Sequence, residues 1–128
     1  MTRLYLSGPM TGLPDLNRPA FHAAAQALRA RGYTVINPPE VDRTPIEQAL
    51  STQRGLLDYL PELPRDRREW CLWLRADIAQ LVTCHALAYL PGWERSDGAH
   101  AEITVAKLLH MPITPVADLL GNEWRAAA

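Results

Sequence analysis

The chain opens with the apolar run Leu4-Tyr5-Leu6-Ser7-Gly8-Pro9, and a second run, Tyr33-Thr34-Val35-Ile36-Asn37-Pro38, follows further on. Each run ends at residues that favour turns, so both are predicted to be buried strands. Between them we expect a helix that Asn17 caps, that has Pro19 in its first turn and that Gly32 ends. Its inward face consists of Phe21, Ala24, Ala25 and Leu28. These elements form a βαβ unit, whose crossover should be right-handed.

The rest of the chain alternates helices and strands in the same way. A broad apolar stripe predicts a helix from about Asp66 to Thr83, and the stripe consists of Trp70, Trp73, Leu74, Ile78, Leu81 and Val82. The elements expected after it are a strand at Ala86–Leu90, a helix at Gly98–His110, a short strand within Pro112–Pro115 and a terminal helix at Asp118–Arg125. This alternation predicts a parallel sheet covered by helices on both faces.

The composition excludes several functional classes. The 128 residues, 48% hydrophobic and 21% charged with a net charge of −1, are expected to form one domain over 1–128, with neither disorder nor a surface for a nucleic-acid polymer. No apolar run approaches the roughly 18 residues that span a bilayer. The first residues are typical of a strand and not of a signal peptide. We therefore expect a cytoplasmic protein that does not bind a membrane.

Two further features of the sequence limit the chemistry. Cys71 and Cys84 lie in apolar contexts and are expected to be buried, reduced and structural. The histidines have no metal-ligand spacing, so no metal site is predicted. The segment Val41–Arg65 carries three prolines and only one plausible short helix, around Pro45–Thr52, so it is interpreted as an insertion or a lid.

Three loops are the predicted location of the functional site. In an open parallel sheet, ligands bind beyond the carboxyl ends of the strands, which selects Ser7–Gly12, Asn37–Glu40 and Pro91–Gly98. Each loop approaches the N-terminus of a helix, where free N–H groups and the helix dipole favour an anion. The candidate substrate-binding residues come from these loops and the helix start that follows the third: Ser7, Gly8, Pro9, Met10, Asn37, Pro38, Trp93, Ser96, Asp97, Gly98 and Ala99.

Two carboxylates are expected to point inward. Glu102 lies within about the first turn and a half of its predicted helix, and Asp77 lies in the middle of another, and the spacing of each places it among apolar residues. A buried, ionised carboxylate at a helix start can attack a sugar carbon. Two such groups suit a reaction in which one attacks an anomeric carbon and the other orients the sugar or assists the leaving group.

Six of the candidate residues also have a structural interpretation. Glu102 is equally typical of a first-turn residue that favours the helix dipole. Asp77 is also typical of an ion pair, with Arg3 or Arg75 as its partner. On spacing alone, the same holds for the residues that can serve as helix caps or packing residues, which are Ser96, Asp97, Tyr5 and Trp93.

The ordered set of motifs resembles a known family. It consists of Leu4–Gly12, Gly32–Pro38, Arg75-Ala76-Asp77-Ile78 and Leu90–Glu102, and it looks like the "domain of unknown function 4406" group. That group is similar to the nucleoside 2-deoxyribosyltransferase and deoxynucleoside 5′-monophosphate N-glycosidase superfamily. The resemblance implies a flavodoxin-like (Rossmann-like) three-layer α/β/α fold with a four- to five-stranded parallel sheet. It also implies no cofactor and a homo-oligomer whose subunits complete one another's sites.

The resemblance further implies cleavage of an N-glycosidic bond through a covalent sugar intermediate. Glu102 stands in the place of the nucleophilic glutamate, Asp77 matches an aspartate that contacts the sugar or leaving base, and Tyr5 matches an aromatic hydroxyl near the nucleophile. Ser96 stands where enzymes that act on monophosphates carry a phosphate-binding serine and transferases carry an acidic residue. A serine there removes a negative charge and adds a donor beside the N–H groups of Gly98 and Ala99, which favours a nucleotide over a nucleoside.

Three functional hypotheses remain open at this point. The first is hydrolysis of, or deoxyribosyl transfer from, a nucleoside 5′-monophosphate or nucleoside, with Glu102 attacking C1′ and Asp77 positioning the sugar. The second is a noncatalytic nucleotide-binding or sensing module, in which Glu102 accepts a hydrogen bond from a ribose hydroxyl. The third is cleavage of a nicotinamide dinucleotide, which needs room for a second nucleotide beside the insertion at 41–65.

Overall fold

A computed structural model describes residues 2–45, 48 and 64–121 of the chain. In this part of the chain four parallel strands form one sheet in the order β2-β1-β3-β4. The strands are β1 (Arg3–Ser7), β2 (Thr34–Ile36), β3 (Ala86–Tyr89) and β4 (Ile113–Pro115). The helices are α1 (Arg18–Ala30), α2 (Arg65–Leu81), α3 (Asp97–Leu108) and α4 (Val116–Leu120). The predicted flavodoxin-like α/β fold is confirmed, with four strands.

The two faces of β1 point into two separate cores. Successive side chains of a strand alternate between the faces of its sheet. Leu4 and Leu6 therefore lie on one face, in the core that contains Phe21 and Leu28 of α1 and Val116 and Leu120 of α4. Tyr5 lies on the other face, in the core that contains Leu81, Leu87, Ile103 and Ala106. A polar side chain on this second face of β1 is buried against α2 and α3.

The start of α1 differs from the prediction. Asn17 precedes the helix, but its side chain does not cap it. Its backbone is left-handed, with φ 59°, and its amide Nδ2 instead donates a hydrogen bond of 2.9 Å to the carbonyl oxygen of Pro9. Asn17 therefore joins the helix start to the loop after β1, and Pro19 occupies the first turn as predicted.

The apolar stripe of α2 is narrower than predicted. Trp73 is 44% exposed, and Val82, which lies beyond the end of the helix, is 53% exposed. Among the side chains of α2 that the structure describes, the first buried one is that of Ala76. For the same reason Cys71 is only half-buried, whereas Cys84 is buried as predicted. The first turns of α2 are therefore free to contribute to a surface instead of a core.

Some predictions fall outside the described residues. The short helix expected around 45–52 lies largely there, as do most of the segment 41–65 and the part of the terminal helix beyond Gly121, including Trp124. In the described part, α4 occupies Val116–Leu120, directly after β4. None of the described helices is long and apolar enough to cross a membrane.

A close approach between the ends of β1 and β3 gives a test of this packing. A Cβ atom added to Gly8 would lie 2.9 Å from Cβ of Leu90, closer than packed carbon atoms tolerate. We expect Gly8→Ala to lower the free energy of unfolding by about 1–3 kcal/mol, measured by urea denaturation. Gly98→Ala is the matched control, because its added Cβ would meet nothing nearer than 3.9 Å. An equal loss of stability in both variants would contradict this account.

Candidate active site

A cavity of about 460 Å³ lies at the carboxyl end of the sheet. β1 has β2 on one side and β3 on the other, so the loops that follow β1 and β3 diverge there and leave a crevice between them. The volume is in the range of sites for small molecules. The cavity is lined by residues of three loops, α1, α2 and α3: Pro9, Met10, Thr11, Gly12, Leu13, Leu16, Arg18, Pro39, Arg43, Arg67, Trp70, Trp73, Leu74, Asp77, Gly92, Arg95, Ser96, Asp97, Gly98 and Glu102.

Helix α3 carries Glu102 into the wall of this cavity. Ser96 caps the helix, because its Oγ accepts a hydrogen bond of 3.1 Å from the backbone N–H of Ala99. The buried residues of α3 are Ala99, Glu102, Ile103 and Ala106, a spacing that forms one helix face against the sheet. Glu102 therefore occupies a position that an apolar side chain would fill in an ordinary helix of this kind.

Two hydroxyl groups of β1 hold the carboxyl group of Glu102. The phenolic O–H of Tyr5 donates to Oε2 of Glu102, and Oγ of Ser7 donates to Oε1 at 2.8 Å. Tyr5 and Ser7 are two residues apart and so point to the same face of β1, and both are fully buried. Both carboxyl oxygens are thus bonded from the side of the sheet, which fixes the orientation of the group at the cavity.

Asp77 of α2 provides the second buried carboxyl group of the cavity. Its Oδ1 lies 3.3 Å from Nη2 of Arg43. The predicted pairing with Arg3 or Arg75 is wrong. Arg3 donates instead to Oγ1 of Thr83 at 3.1 Å, and Arg75 is exposed. Arg43 reaches Asp77 from the loop after β2, a segment whose sequence contains no periodic pattern from which its position could be predicted.

Burial dominates the electrostatics of the two carboxyl groups. Loss of hydration is the largest effect on Glu102 and raises its pKa to about 8. The hydrogen bond from Tyr5 opposes this rise, the charge of Asp77 adds to it, and the hydrogen bond from Ser7 opposes it. Burial also raises the pKa of Asp77, to about 6, against the opposing charge of Arg43. Burial holds the pKa of Tyr5 well above its usual value, and the negative charge of the nearby Glu102 is the next largest cause of this rise. Near neutral pH, Asp77 is therefore mostly ionised, Glu102 mostly keeps its proton and Tyr5 is a neutral donor.

The chain belongs to the DUF4406 family. The model of this family, described as a domain of unknown function, matches residues 2–115. The match includes all four strands and every described residue that lines the cavity. No curated protein matches the chain.

The structure brings only part of the predicted site of this DUF4406 protein to the cavity. The predicted residues that line it are Pro9, Met10, Asp77, Ser96, Asp97, Gly98 and Glu102. Tyr5 and Ser7 lie behind Glu102 and contact its carboxyl group. The predicted residues that neither line the cavity nor contact Glu102 are Gly8, Asn37, Pro38, Trp93 and Ala99.

Two of the residues away from the cavity have packing contacts instead. Trp93 is half-buried, in agreement with its alternative interpretation as a packing residue. Its ring packs against Tyr89 and His100, with ring centroids 5.6 Å and 5.0 Å away. Asn37 is buried, and its Nδ2 donates to Oε1 of Glu40 at 3.0 Å. Both residues therefore support the loops that carry the site.

Sequence reasoning missed the aromatic and cationic part of the DUF4406 cavity. The spacing places Trp70 and Trp73 in the broad apolar stripe of the predicted helix, and the structure shows that both line the cavity. The guanidinium of Arg67 lies 4.0 Å from the ring centroid of Trp70, and that of Arg43 lies 5.6 Å from the ring centroid of Trp73, both within cation–π distance. Two tryptophans in the helix turns before an inward aspartate were the signal that could have indicated this surface.

The raised pKa of Glu102 should make the free energy of unfolding depend on pH. The folded group titrates at about 8 and the ordinary value is 4.5, so between these pH values the unfolded chain has lost a proton that the folded chain retains. Wild-type stability therefore falls as the pH rises through this window. The side chain of Glu102→Gln cannot ionise. The free energy of unfolding of this variant should therefore rise relative to that of wild type by a few kcal/mol, to order of magnitude, between about pH 5 and pH 8.

Urea denaturation at both pH values measures this difference. Glu94→Gln is the matched control, because Glu94 is exposed and does not line the cavity, and its difference from wild type should not change with pH. A constant offset between Glu102→Gln and wild type over the whole window would show that Glu102 titrates normally and would contradict the burial argument.

Proposed function

We propose that this protein cleaves the N-glycosidic bond of a nucleoside 5′-monophosphate or nucleoside through a covalent intermediate on Glu102. The observation that carries the proposal is the buried carboxyl group of Glu102 at the cavity wall, with its two oxygens held by Tyr5 and Ser7. Burying an ionisable group whose hydrogen-bond partners are neutral hydroxyls is costly for folding. Such a cost is typical of a catalytic group.

The proposed reaction has two displacements at C1′ of the sugar. In the first, an oxygen of ionised Glu102 forms a bond to C1′ while the C1′–N bond breaks, and the electron pair of that bond leaves with the base. In the second, water attacks C1′, the ester bond to Glu102 breaks and the carboxylate is restored. Water supplies the hydroxyl group to the sugar and, overall, the proton to the base. A second base in place of water would give transfer of the sugar.

The neighbours of Glu102 have distinct roles in this reaction. Tyr5 and Ser7 contact the carboxyl group and not the cavity, so they are positioning residues that aim it at C1′ and stabilise its ionised form. Asp77 lines the cavity and is ionised near neutral pH, so it can accept hydrogen bonds from sugar hydroxyls. Its negative charge also stabilises the positive charge that develops on the sugar in the transition state.

The chemistry of the cavity wall supports a mononucleotide as substrate. Three exposed arginines, Arg18, Arg67 and Arg95, line the cavity and suit a phosphate group. Trp70 and Trp73 offer aromatic surfaces to a planar base. The volume suits one ligand of nucleotide size. A second nucleotide would have to lie outside the cavity, which favours a mononucleotide over a nicotinamide dinucleotide.

A noncatalytic nucleotide-binding module is the second candidate. It is favoured by the proton that burial leaves on Glu102 near neutral pH, because a neutral carboxyl group can hydrogen-bond a ligand but is a poor nucleophile. The two candidates differ in turnover, since both predict binding of a nucleotide.

Release of free base is the experiment that tests the proposal. Ribo- and deoxyribonucleosides and their 5′-monophosphates are incubated with wild type, Glu102→Gln and the control Glu94→Gln, and products are separated by chromatography. We expect release by wild type and Glu94→Gln, and a loss of at least about a thousandfold in Glu102→Gln, since the nucleophile is removed. Nucleotide binding by calorimetry without base release from any substrate would contradict the enzyme proposal and support the binding module.

Ser96 provides a test of substrate preference in the same assay. Its Oγ accepts the capping bond from Ala99, so its own hydrogen remains to be donated to an anion. Ser96→Asp keeps a good helix cap but adds a negative charge, and Ser96→Asn keeps the cap without charge. We expect Ser96→Asp to lower kcat/KM for monophosphates at least about tenfold more than for nucleosides, and Ser96→Asn to have a much smaller selective effect. Equal losses for both substrates would contradict a phosphate site at Ser96.

A further inference from the structure

Arg43 contacts the buried carboxyl group of Asp77 and has no role in the reaction described above. Its Nη2 lies 3.3 Å from Oδ1 of Asp77 and 3.4 Å from the carbonyl oxygen of Pro38. Its guanidinium also lies over the ring of Trp73. Only 21% of its side chain is exposed. These three contacts hold the guanidinium in one place, between the loop after β2 and the helix that carries Asp77.

Among the described residues that line the cavity, Arg43 is the one cation that is not exposed. Arg18, Arg67 and Arg95 also line it but are solvent-exposed, as is the acidic Asp97. Water and salt weaken the effect of an exposed charge on a buried group far more than that of a buried charge. The charge of Arg43 is therefore screened less than those of the other three arginines at the buried carboxyl group of Asp77, which Arg43 contacts.

Asp77 and Glu102 form the carboxyl pair of the cavity, and the groups that face this pair come from β1 and from the loop after β2. β1 contributes the hydroxyls of Tyr5 and Ser7 to Glu102 of α3, and α2 contributes Asp77. The loop after β2 contributes Arg43. Tyr5 stays neutral because burial holds its pKa far above the usual value. The net charge of the cluster is thus set by Arg43 and by the number of protons on the two carboxyl groups.

We propose that Arg43 is a positioning residue for the Asp77–Glu102 pair: it fixes the Asp77 carboxylate in the cavity wall and supplies the positive charge that allows both carboxyl groups to be ionised together. Without it, ionising Glu102 would place two unpaired negative charges in one buried site, which is strongly unfavourable. With it, the doubly ionised pair has a net charge of −1. Glu102 then becomes a nucleophile at a pH at which Asp77 is already ionised.

The effect of Arg43 on catalysis rests on the proposed function. Its effect on the ionisation of Asp77 and Glu102 does not. Titration of the side-chain carboxyl carbons by ¹³C NMR measures the coupling without any substrate. Asp77→Asn and Glu102→Gln identify the two signals by their loss. Because the groups interact, the two steps of the titration are assigned to the pair.

Arg43→Gln and Arg43→Lys are the test variants. We expect Arg43→Gln to raise the pH at which the pair becomes doubly ionised by about one unit or more, the usual effect of a nearby opposite charge, and Arg43→Lys to recover most of this shift. In an Asp77→Asn background, Arg43→Gln should shift the pKa of Glu102 much less, because Arg43 contacts Asp77, whereas the hydrogen-bond partners of Glu102 are Tyr5 and Ser7. Thermal unfolding of each variant establishes that the protein is folded.

The outcomes separate this inference from the proposed function. A folded Arg43→Gln protein with an unchanged titration would overturn the role of Arg43, as would equal shifts in the glutamine and lysine variants. If base release occurs, the acidic limb of the kcat/KM profile of Arg43→Gln should move to higher pH by the same amount as the NMR titration. If no substrate is cleaved, the proposed function fails, while the NMR result still decides the role of Arg43.

Discussion

The burial of one carboxyl group against the central strand is the constraint on which the rest of the site depends. Glu102 occupies a sheet-facing position of α3, where an apolar residue would normally pack. It is accommodated because β1 presents two hydroxyls, those of Tyr5 and Ser7, on the face that meets α3. Hydrogen bonds to a buried carboxyl group offset part of its lost hydration. The remaining cost leaves a group whose protonation state responds to small changes of charge nearby.

The topology of the sheet places that group beside a cavity. Because the strand order reverses between β1 and β3, the loops that follow them separate and expose the start of α3. Arg43 enters from the loop after β2, Asp77 from α2 and Glu102 from α3, so these three ionisable groups lie on different segments of the chain. Folding brings them together, and none of them has a sequence neighbour as its partner.

The spacing of apolar residues along the chain predicts much of this structure. The residue types at the strand ends and on the helix faces predict part of the site. The order of strands and helices follows from apolar spacing, and the inward direction of Asp77 and Glu102 follows from their positions on helix faces. Spacing cannot predict contacts between distant segments, so the Arg43–Asp77 pair was missed. It also cannot separate a core from a cavity wall, so the predicted apolar stripe includes Trp73, which lines the cavity. The homo-oligomer and the cytoplasmic location stay predictions.

A covalent bond between Glu102 and the sugar distinguishes the proposed mechanism from simple binding, and trapping the bonded species detects it. A 2′-fluoro analogue of a cleaved nucleotide destabilises the positive charge that develops on the sugar, which slows both displacements and lets an intermediate accumulate. The protein is incubated with the analogue, digested and analysed by peptide mass spectrometry. We expect a sugar phosphate attached to the peptide that contains Glu102, and no adduct in Glu102→Gln. Release of base without an adduct, or an adduct on another residue, would rule out Glu102 as the nucleophile.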